Sequence, residues 1–576
     1  MKHGALAALL VAAYGALVLG GLVPWHDAIL WPLVAGVIAY RSGARTGVLA
    51  ALAVAGLGID LASLWSAGFA GRNHVFAGIF ALSDAQEYWL DAERVLHGVP
   101  MISGGARRPL FAAVLAGVLD LVGNDIRLAH VVMLLFWAGA GVFAARELRR
   151  THGARVATVC FVVFLLFARR YVGFVQSEGL GAPLGAIAFG LLWRAAHLER
   201  AGEPWEATFL GGLGLQALAL LARPGPMLLL AGLAVWATLR GGRRMLAKAI
   251  AVVGATWALH ALIRATTSAA PAFSDALAIG YGLLHGEDSR FLFAQHPWIH
   301  DPPDPSQLSA VLGIFRSELA ARPWLVLVAP VRCLASWFVL PQGFFGFVWL
   351  NPDDAAFASD PVRLGAYRVV NVVVMGLAAV VFVGALVRAL VRGRRQRGIE
   401  HRALAALLVN LAILPPWITE GAQICAAAYL WVVAFVVVSV VPAGGVTAAR
   451  PLPRVAPAVV AVLGALVAMA KLSPVRLDGA CVEGRVLADV DRRNGVVLDG
   501  TREANLALVA RNNPHVAEAI RASSARRLFP AYDGCRGLLF YVLDAGDTTL
   551  VRRMWLTLAP AGDPTLQTAT AISPAP

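Results

Sequence analysis

Asp84, Glu87 and Asp91 are three of the four acids in the stretch Ser83–Gly98, between one apolar segment and the next. A carboxylate beside a bilayer is costly to desolvate, so acids held there are candidates for chemistry. An aspartate at a helix start can take the proton of a hydroxyl or amine as that group attacks an electrophilic carbon. Asp84 is the residue we assign to this general-base role. Ser83 with Gln86, and Asp84 with Glu87, also form N-cap pairs, and capping by itself accounts for these residue types. Glu87 and Asp91 follow on the same helical face. A solvated polar face is the plainer reading of both, with Glu87 and Tyr88 kept as candidate substrate-binding residues.

A second signal is basic charge on the unexpected side. Arg107, Arg108, Arg169, Arg170, Arg223 and Arg264 stand at those ends of apolar segments that the alternation described below places outside. Any one of them can serve a lipid headgroup or a neighbouring acid. Together they could make a phosphate site, because guanidinium forks match phosphate oxygens bidentately and stabilise charge growing on a leaving group. A third signal is Gln176-Ser177-Glu178-Gly179 at an outer helix start. Ser177 and Glu178 suit a helix N-terminus and its dipole; otherwise Glu178 is a second acid of the same cavity. His296, His300 and Asp301 have metal-like spacing only on a helix, and Pro297 with Pro302-Pro303 breaks one there. The chain has no nucleotide-binding glycine loop, no CxxC pair and no GxSxG elbow. No motif supports a cofactor or a divalent metal. Chemistry on an outer membrane face has no nucleotide to draw on, so it needs an activated lipid donor.

The elements that must position these residues are membrane helices. The chain has 576 residues, 59% hydrophobic and 15% charged, with mean hydropathy +0.68. Soluble domains are nearer half apolar and a quarter charged. The formal charge of +14 lies mostly in arginines of short loops, as the positive-inside bias requires, so nucleic acid is not expected as a partner. Spans are expected at Ala5–Val23, read as retained rather than cleaved, and at Ala28–Tyr40 and Val48–Trp65. They continue at Leu128–Leu148, Val156–Tyr171, Leu180–His197, Phe209–Ala222, Met227–Leu239 and Ile250–Ile263. The last are Tyr367–Val391, Ala403–Ile418, Ala426–Val441 and Val455–Ala470.

These make about thirteen crossings. The N-terminus is then cytoplasmic, the C-terminus extracytoplasmic, and the chain a multi-pass protein of the cell inner (plasma) membrane. External loops cover 67–127 and 264–363. The first holds an amphipathic helix at Ala85–Leu96 and a short interfacial or re-entrant helix at Pro109–Val122. The second has aromatic-rich interfacial helices in Trp324–Leu350. Residues 1–471 form the membrane domain, and 472–576 a small external α/β domain. That domain has strands at Val496–Asp499, Leu506–Val509, Leu538–Leu543 and Met554–Leu558, a helix at Pro514–Ala522, and Cys481 and Cys535 as a candidate disulfide. Cys160, Cys333 and Cys425 lie in apolar surroundings, where a thiol packs as a small hydrophobe.

The order and spacing of Asp84, Tyr88, Ala92, Leu96 and Gly98, then Arg108-Pro109-Leu110 and a helix ending near Gly123, resemble the first external loop of the GT-C fold glycosyltransferases. The bacterial relatives of protein O-mannosyltransferases and the lipid A aminoarabinose transferase group are the most similar. Ser177-Glu178, Arg223-Pro224 and Glu420 resemble further features of that group, and the likeness covers about Val48–Val441. The resemblance implies an integral-membrane enzyme that moves a sugar from a polyprenyl-phosphate donor to an extracytoplasmic protein, lipid or glycan. Asp84 would be its base, and outward arginines would hold the phosphate. Two departures stand out: Ala85 replaces a second acid after Asp84, and two spans precede the usual first one. The rival class is a transporter or lipid flippase without covalent chemistry. Such proteins often carry inverted repeats and mid-membrane broken helices, and no paired repeat is visible here.

Overall fold

The structure is a computed structural model. It describes residues 30–66, 75–76, 80–81, 83–96, 98, 100–101, 104–123, 125–268, 276–287, 290–299, 307–339, 361–393, 398–415, 425–442 and 456–472, with short strand segments between 490 and 572. The expected span Ala5–Val23, His300, Asp301, Glu420, Cys481 and Cys535 lie outside them.

The chain is mostly helical. Helices α1 (Leu30–Arg41) and α2 (Thr46–Ser66) precede the amphipathic α3 (Ser83–Leu96), a single turn α4 (Gly104–Arg107) and α5 (Pro109–Leu121). Then come α6 (Ile126–Tyr171), α7 (Glu178–Ala201), α8 (Glu206–Ala222) and α9 (Leu228–Thr267). Helices α10 (Ala276–His285), α11 (Arg290–Gln295), α12 (Leu308–Ala321) and α13 (Leu325–Val339) occupy the second long loop. The series closes with α14 (Pro361–Gly393), α15 (Ile399–Ile413), a 3-10 turn at Ala426–Ala428, α16 (Tyr429–Val440) and α17 (Ala456–Leu472).

Three of these helices, α6, α7 and α9, are long and apolar enough to cross a membrane by length and composition. A bent pair, Ser309–Ala321 with Leu325–Trp337 at 101°, adds a fourth if it is one span. Helix α6 has 46 residues, roughly 70 Å at 1.5 Å per residue, more than twice a ~30 Å hydrocarbon core. Its backbone breaks at Gly153, with φ 81° and ψ 179°. Helix α9 breaks at Gly242, with φ 68°. Only glycine takes such angles without strain. Each long helix is therefore two apolar limbs joined within a basic turn, where the sequence pattern separates two spans. Shorter apolar helices of 10–17 residues, among them Glu206–Ala222 and Ala426–Val440, fill the same bundle.

The basic turns meet at one end of that bundle. Arg149 donates to the Ala44 carbonyl at 3.3 Å, and Arg155 to the Tyr40 hydroxyl at 3.3 Å. Arg240 pairs with Glu199 at 3.5 Å, while Arg200 pairs with Glu400 and Lys248 with Glu206. The turns after α1, at Gly153, after α7, at Gly242 and before α15 thus share one end, as alternating spans demand. The starts of α6 and α7 and the ends of α2 and α8 lie at the other.

Between the ends runs an apolar core rich in rings. Trp137 stacks on Tyr171 with centroids 6.4 Å apart, Phe167 on Tyr429 at 4.0 Å, and Trp236 is wedged against Trp205 and Phe209. Small residues let backbones approach, as in other membrane bundles. A Cβ on Gly185 would run into the carbonyl of Ala427. Beyond 472, strands β1 (Val490–Asp491), β2 (Gly495–Val497), β3 (Ala525–Tyr532), β4 (Leu538–Asp544), β5 (Leu550–Leu556) and β6 (Ala571–Ile572) pair antiparallel in sequence order. The helix expected at Pro514–Ala522 and the strand at Leu506–Val509 fall outside the described residues.

Gly185→Ala should lower the thermal midpoint of the detergent-solubilised protein, because a backbone carbonyl gives way only with helix movement, at a cost of about 1–3 kcal/mol. An unshifted melt would contradict the α7–Ala427 contact.

Candidate functional site

The site builds from the start of α7. Residues 171–180 are all buried, so the turn between α6 and α7 lies inside the protein. Ser177 sits at the N-cap of α7 but makes no side-chain cap, contrary to the capping reading of that residue. Its hydroxyl approaches Glu178 Oε2 at 3.4 Å instead. Glu178 is fully buried, and its Oε1 lies 3.1 Å from Nη2 of Arg223, itself 9% exposed. A lone charge there would cost several kcal/mol, and a close partner offsets much of that. Local sequence brings Arg223 to the spot. Pro224 follows it, disfavours helix at the residue before, and Arg223 is extended, with φ −127° and ψ 95°. Gly181 makes the approach possible, since a Cβ there would lie 2.6 Å from the Arg223 Cβ.

Two further elements close on this pair. Gln216 of α8, fully buried, donates to the Ala427 carbonyl at 2.8 Å and accepts from Trp431 Nε1 at 3.2 Å. That clamp fixes the 3-10 turn and with it Cys425, whose thiol feels the Arg223 charge. On the other flank Phe111 of α5 reaches Gly179, where a Cβ would lie 3.6 Å from the ring. Tyr88 of α3 meets Phe111 edge to face at 5.3 Å, and Arg108 Nη1 donates to the Tyr88 hydroxyl at 3.4 Å. The path Arg108–Tyr88–Phe111–Gly179–Glu178–Arg223 is therefore continuous.

The structure joins Tyr88, Arg108, Glu178 and Arg223 from the sequence-derived set. Asp84 and Glu87 lie in α3, with Asp84 about one turn before Tyr88, and Arg107 lies in α4. The side chains of these three are outside the described residues. Arg169 is buried, and Asp60 of α2, also buried, accepts from Trp31 Nε1 at 3.2 Å. Arg170 lies over the Tyr171 ring, 5.5 Å from its centroid, a cation–π geometry.

Asp91 corrects an expectation. It is not on a solvated face but fully buried, and its Oδ2 accepts from the Ala106 backbone N–H at 3.1 Å. Burial lowers the Arg94 guanidinium from its ordinary value, and the Asp91 charge opposes that shift. His296 contacts the Tyr281 hydroxyl at 3.4 Å. Sequence reasoning missed Asp60, Arg127 and His130, all buried at this end of the bundle. Arg127 lies 5.6 Å from the centroid of the Trp65 ring. The available signal for Asp60 was a single acid inside the apolar run Val48–Trp65, which in a membrane segment is a functional flag by default.

No family model and no curated protein matches the chain. Two solved structures from Archaeoglobus fulgidus are similar to it. One is a crystal structure of the oligosaccharyltransferase in complex with Zn and sulfate, 15% identical, TM-score 0.35, covering 78% of this chain and 52% of that one. The other is the oligosaccharyltransferase AglB in complex with an inhibitory peptide and a dolichol-phosphate, 13% identical, TM-score 0.35, covering 77% of this chain and 55% of that one. The chain thus spans about half the length of each.

Arg223→Ala should destabilise the fold by about 3–5 kcal/mol, because it leaves a buried carboxylate uncompensated. Adding Glu178→Gln should recover a large part of the loss. A double variant no more stable than Arg223→Ala, read by thermal unfolding, would show that the pair does not carry this energy.

Proposed function

We propose that this chain is a membrane glycosyltransferase that moves a sugar from a polyprenyl-phosphate-linked donor to an extracytoplasmic protein, lipid or glycan. The carrying observation is the continuous path from Arg108 and Tyr88 through Phe111 to the buried Glu178–Arg223 pair, on the helix end that also bears Asp84. In this reading the basic end of the bundle faces the cytoplasm. The site opens outward from the inner (plasma) membrane, and the C-terminus is extracytoplasmic.

Each group then has a task. Asp84 accepts the proton of the acceptor hydroxyl or amine. The acceptor atom attacks the anomeric carbon from the face opposite the phosphate, so the configuration inverts. The bond from that carbon to the phosphate oxygen breaks, and its electron pair leaves with the polyprenyl phosphate. Arg223 and Arg108 hold the phosphate and stabilise the charge that grows on it. Glu178 keeps Arg223 in place and compensated while no donor is bound, and Tyr88 orients Arg108. Arg170, over the Tyr171 ring, is a further phosphate contact in this reading, with Arg169 beside it in the chain.

Asp84→Asn removes the base but keeps shape and size. It should abolish sugar transfer to acceptor in membranes supplied with lipid-linked sugar, while the protein still folds and retains bound polyprenyl phosphate. Transfer at the wild-type rate would remove Asp84 from the mechanism. Bound lipid without any transfer by the wild-type protein would favour a lipid carrier over an enzyme.

A further inference from the structure

Four contacts strap the segment between α3 and α5 from both sides. Arg94 Nε of α3 donates to the Pro100 carbonyl at 2.7 Å. The Met101 N–H donates to the Thr267 carbonyl at 2.7 Å. The Ala106 N–H donates to Asp91 Oδ2 at 3.1 Å, and the Ser268 hydroxyl donates to the Ala106 carbonyl at 3.0 Å. Arg108 follows directly, its own N–H bonded to the Gly105 carbonyl at 3.0 Å. The fit around Asp91 leaves no room for a side chain, since a Cβ on Gly105 would lie 2.7 Å from Asp91 Oδ2. A fully buried carboxylate is a costly way to join two segments where an apolar contact would serve stability as well. What a carboxylate adds is direction, because its oxygen accepts one N–H along a fixed line. That N–H lies two residues before Arg108.

We infer that Asp91, backed by Arg94, is a positioning residue that fixes the cation-bearing segment Gly104–Arg108 against the helix bearing Asp84 and Tyr88. The inference rests on the glycosyltransferase reading for its consequence: the separation between the base and the phosphate-binding arginine is set by this one buried acceptor. Asp91 itself touches no substrate and acts through Arg108.

The test uses the full chain in nanodiscs, with undecaprenyl phosphate as the probe and binding read by native mass spectrometry. Arg108→Ala should weaken binding about tenfold, the loss of one charge-assisted contact. Asp91→Ala should weaken it comparably, and the double variant no more than either alone, since both changes remove the same contact. Asp91→Asn keeps an acceptor oxygen and should restore most of the affinity. In parallel, amide exchange over 104–108 should be slow in the wild type and fast in Asp91→Ala. Should Asp91→Ala not fold, Ser268→Ala releases the other side of the same turn and should show the same coupling to Arg108→Ala. Multiplied losses in the double variant, or unchanged exchange over 104–108, would overturn the positioning role. A wild-type protein that binds no undecaprenyl phosphate would instead remove the donor reading, and the exchange measurement would still decide whether Asp91 holds the segment.

Discussion

The arrangement of this end of the molecule depends on one buried pair, Glu178 with Arg223. Neither charge is tolerable alone in an apolar interior, and together they are tolerable only at close range. Close range forces the rest. Helix α8 has to stop at Ala222 so that Arg223 can turn inward, which Pro224 ensures. Helix α7 has to present glycine at 181, or the two backbones could not meet. Gln216 then locks the 3-10 turn beside them through the Ala427 carbonyl.

The same demand recurs around the pair. Three arginines at this end each have such a neighbour. Arg127 has the Trp65 ring, Arg170 has the Tyr171 ring, and Arg108 has the Tyr88 hydroxyl. The opposite end works differently. There Arg200, Arg240 and Lys248 are half-exposed and pair with acids across turns, contacts of small individual worth that bring several turns to one level.

Helix α1, the described one of the two spans expected before Val48–Trp65, is also tied into this bundle. Trp31 of α1 lies against Gly56, where any side chain would collide with its ring, and its indole N–H reaches Asp60. Tyr40 of the same helix accepts from Arg155 at 3.3 Å, so α1 is held to both α2 and α6.

Sequence alone determined many of the helices, though not those at Ala276–His285, Arg290–Gln295 and Leu308–Ala321. Apolar runs near bilayer length, basic turns between them and the amphipathic period of Ser83–Leu96 are local signals, read within a few turns of chain. The boundaries of α5, α8 and α16 follow them closely. Only the tertiary structure decided which charges meet. Glu178 with Arg223, Asp60 with the Trp31 indole N–H, and Asp91 with the Ala106 N–H join residues whose own neighbourhoods allowed other readings: a helix cap, a lone acid in a span, a solvated face. The physical reason is range. Hydrophobic periodicity is written along one helix, whereas the partner of a buried charge is chosen by how separate helices pack.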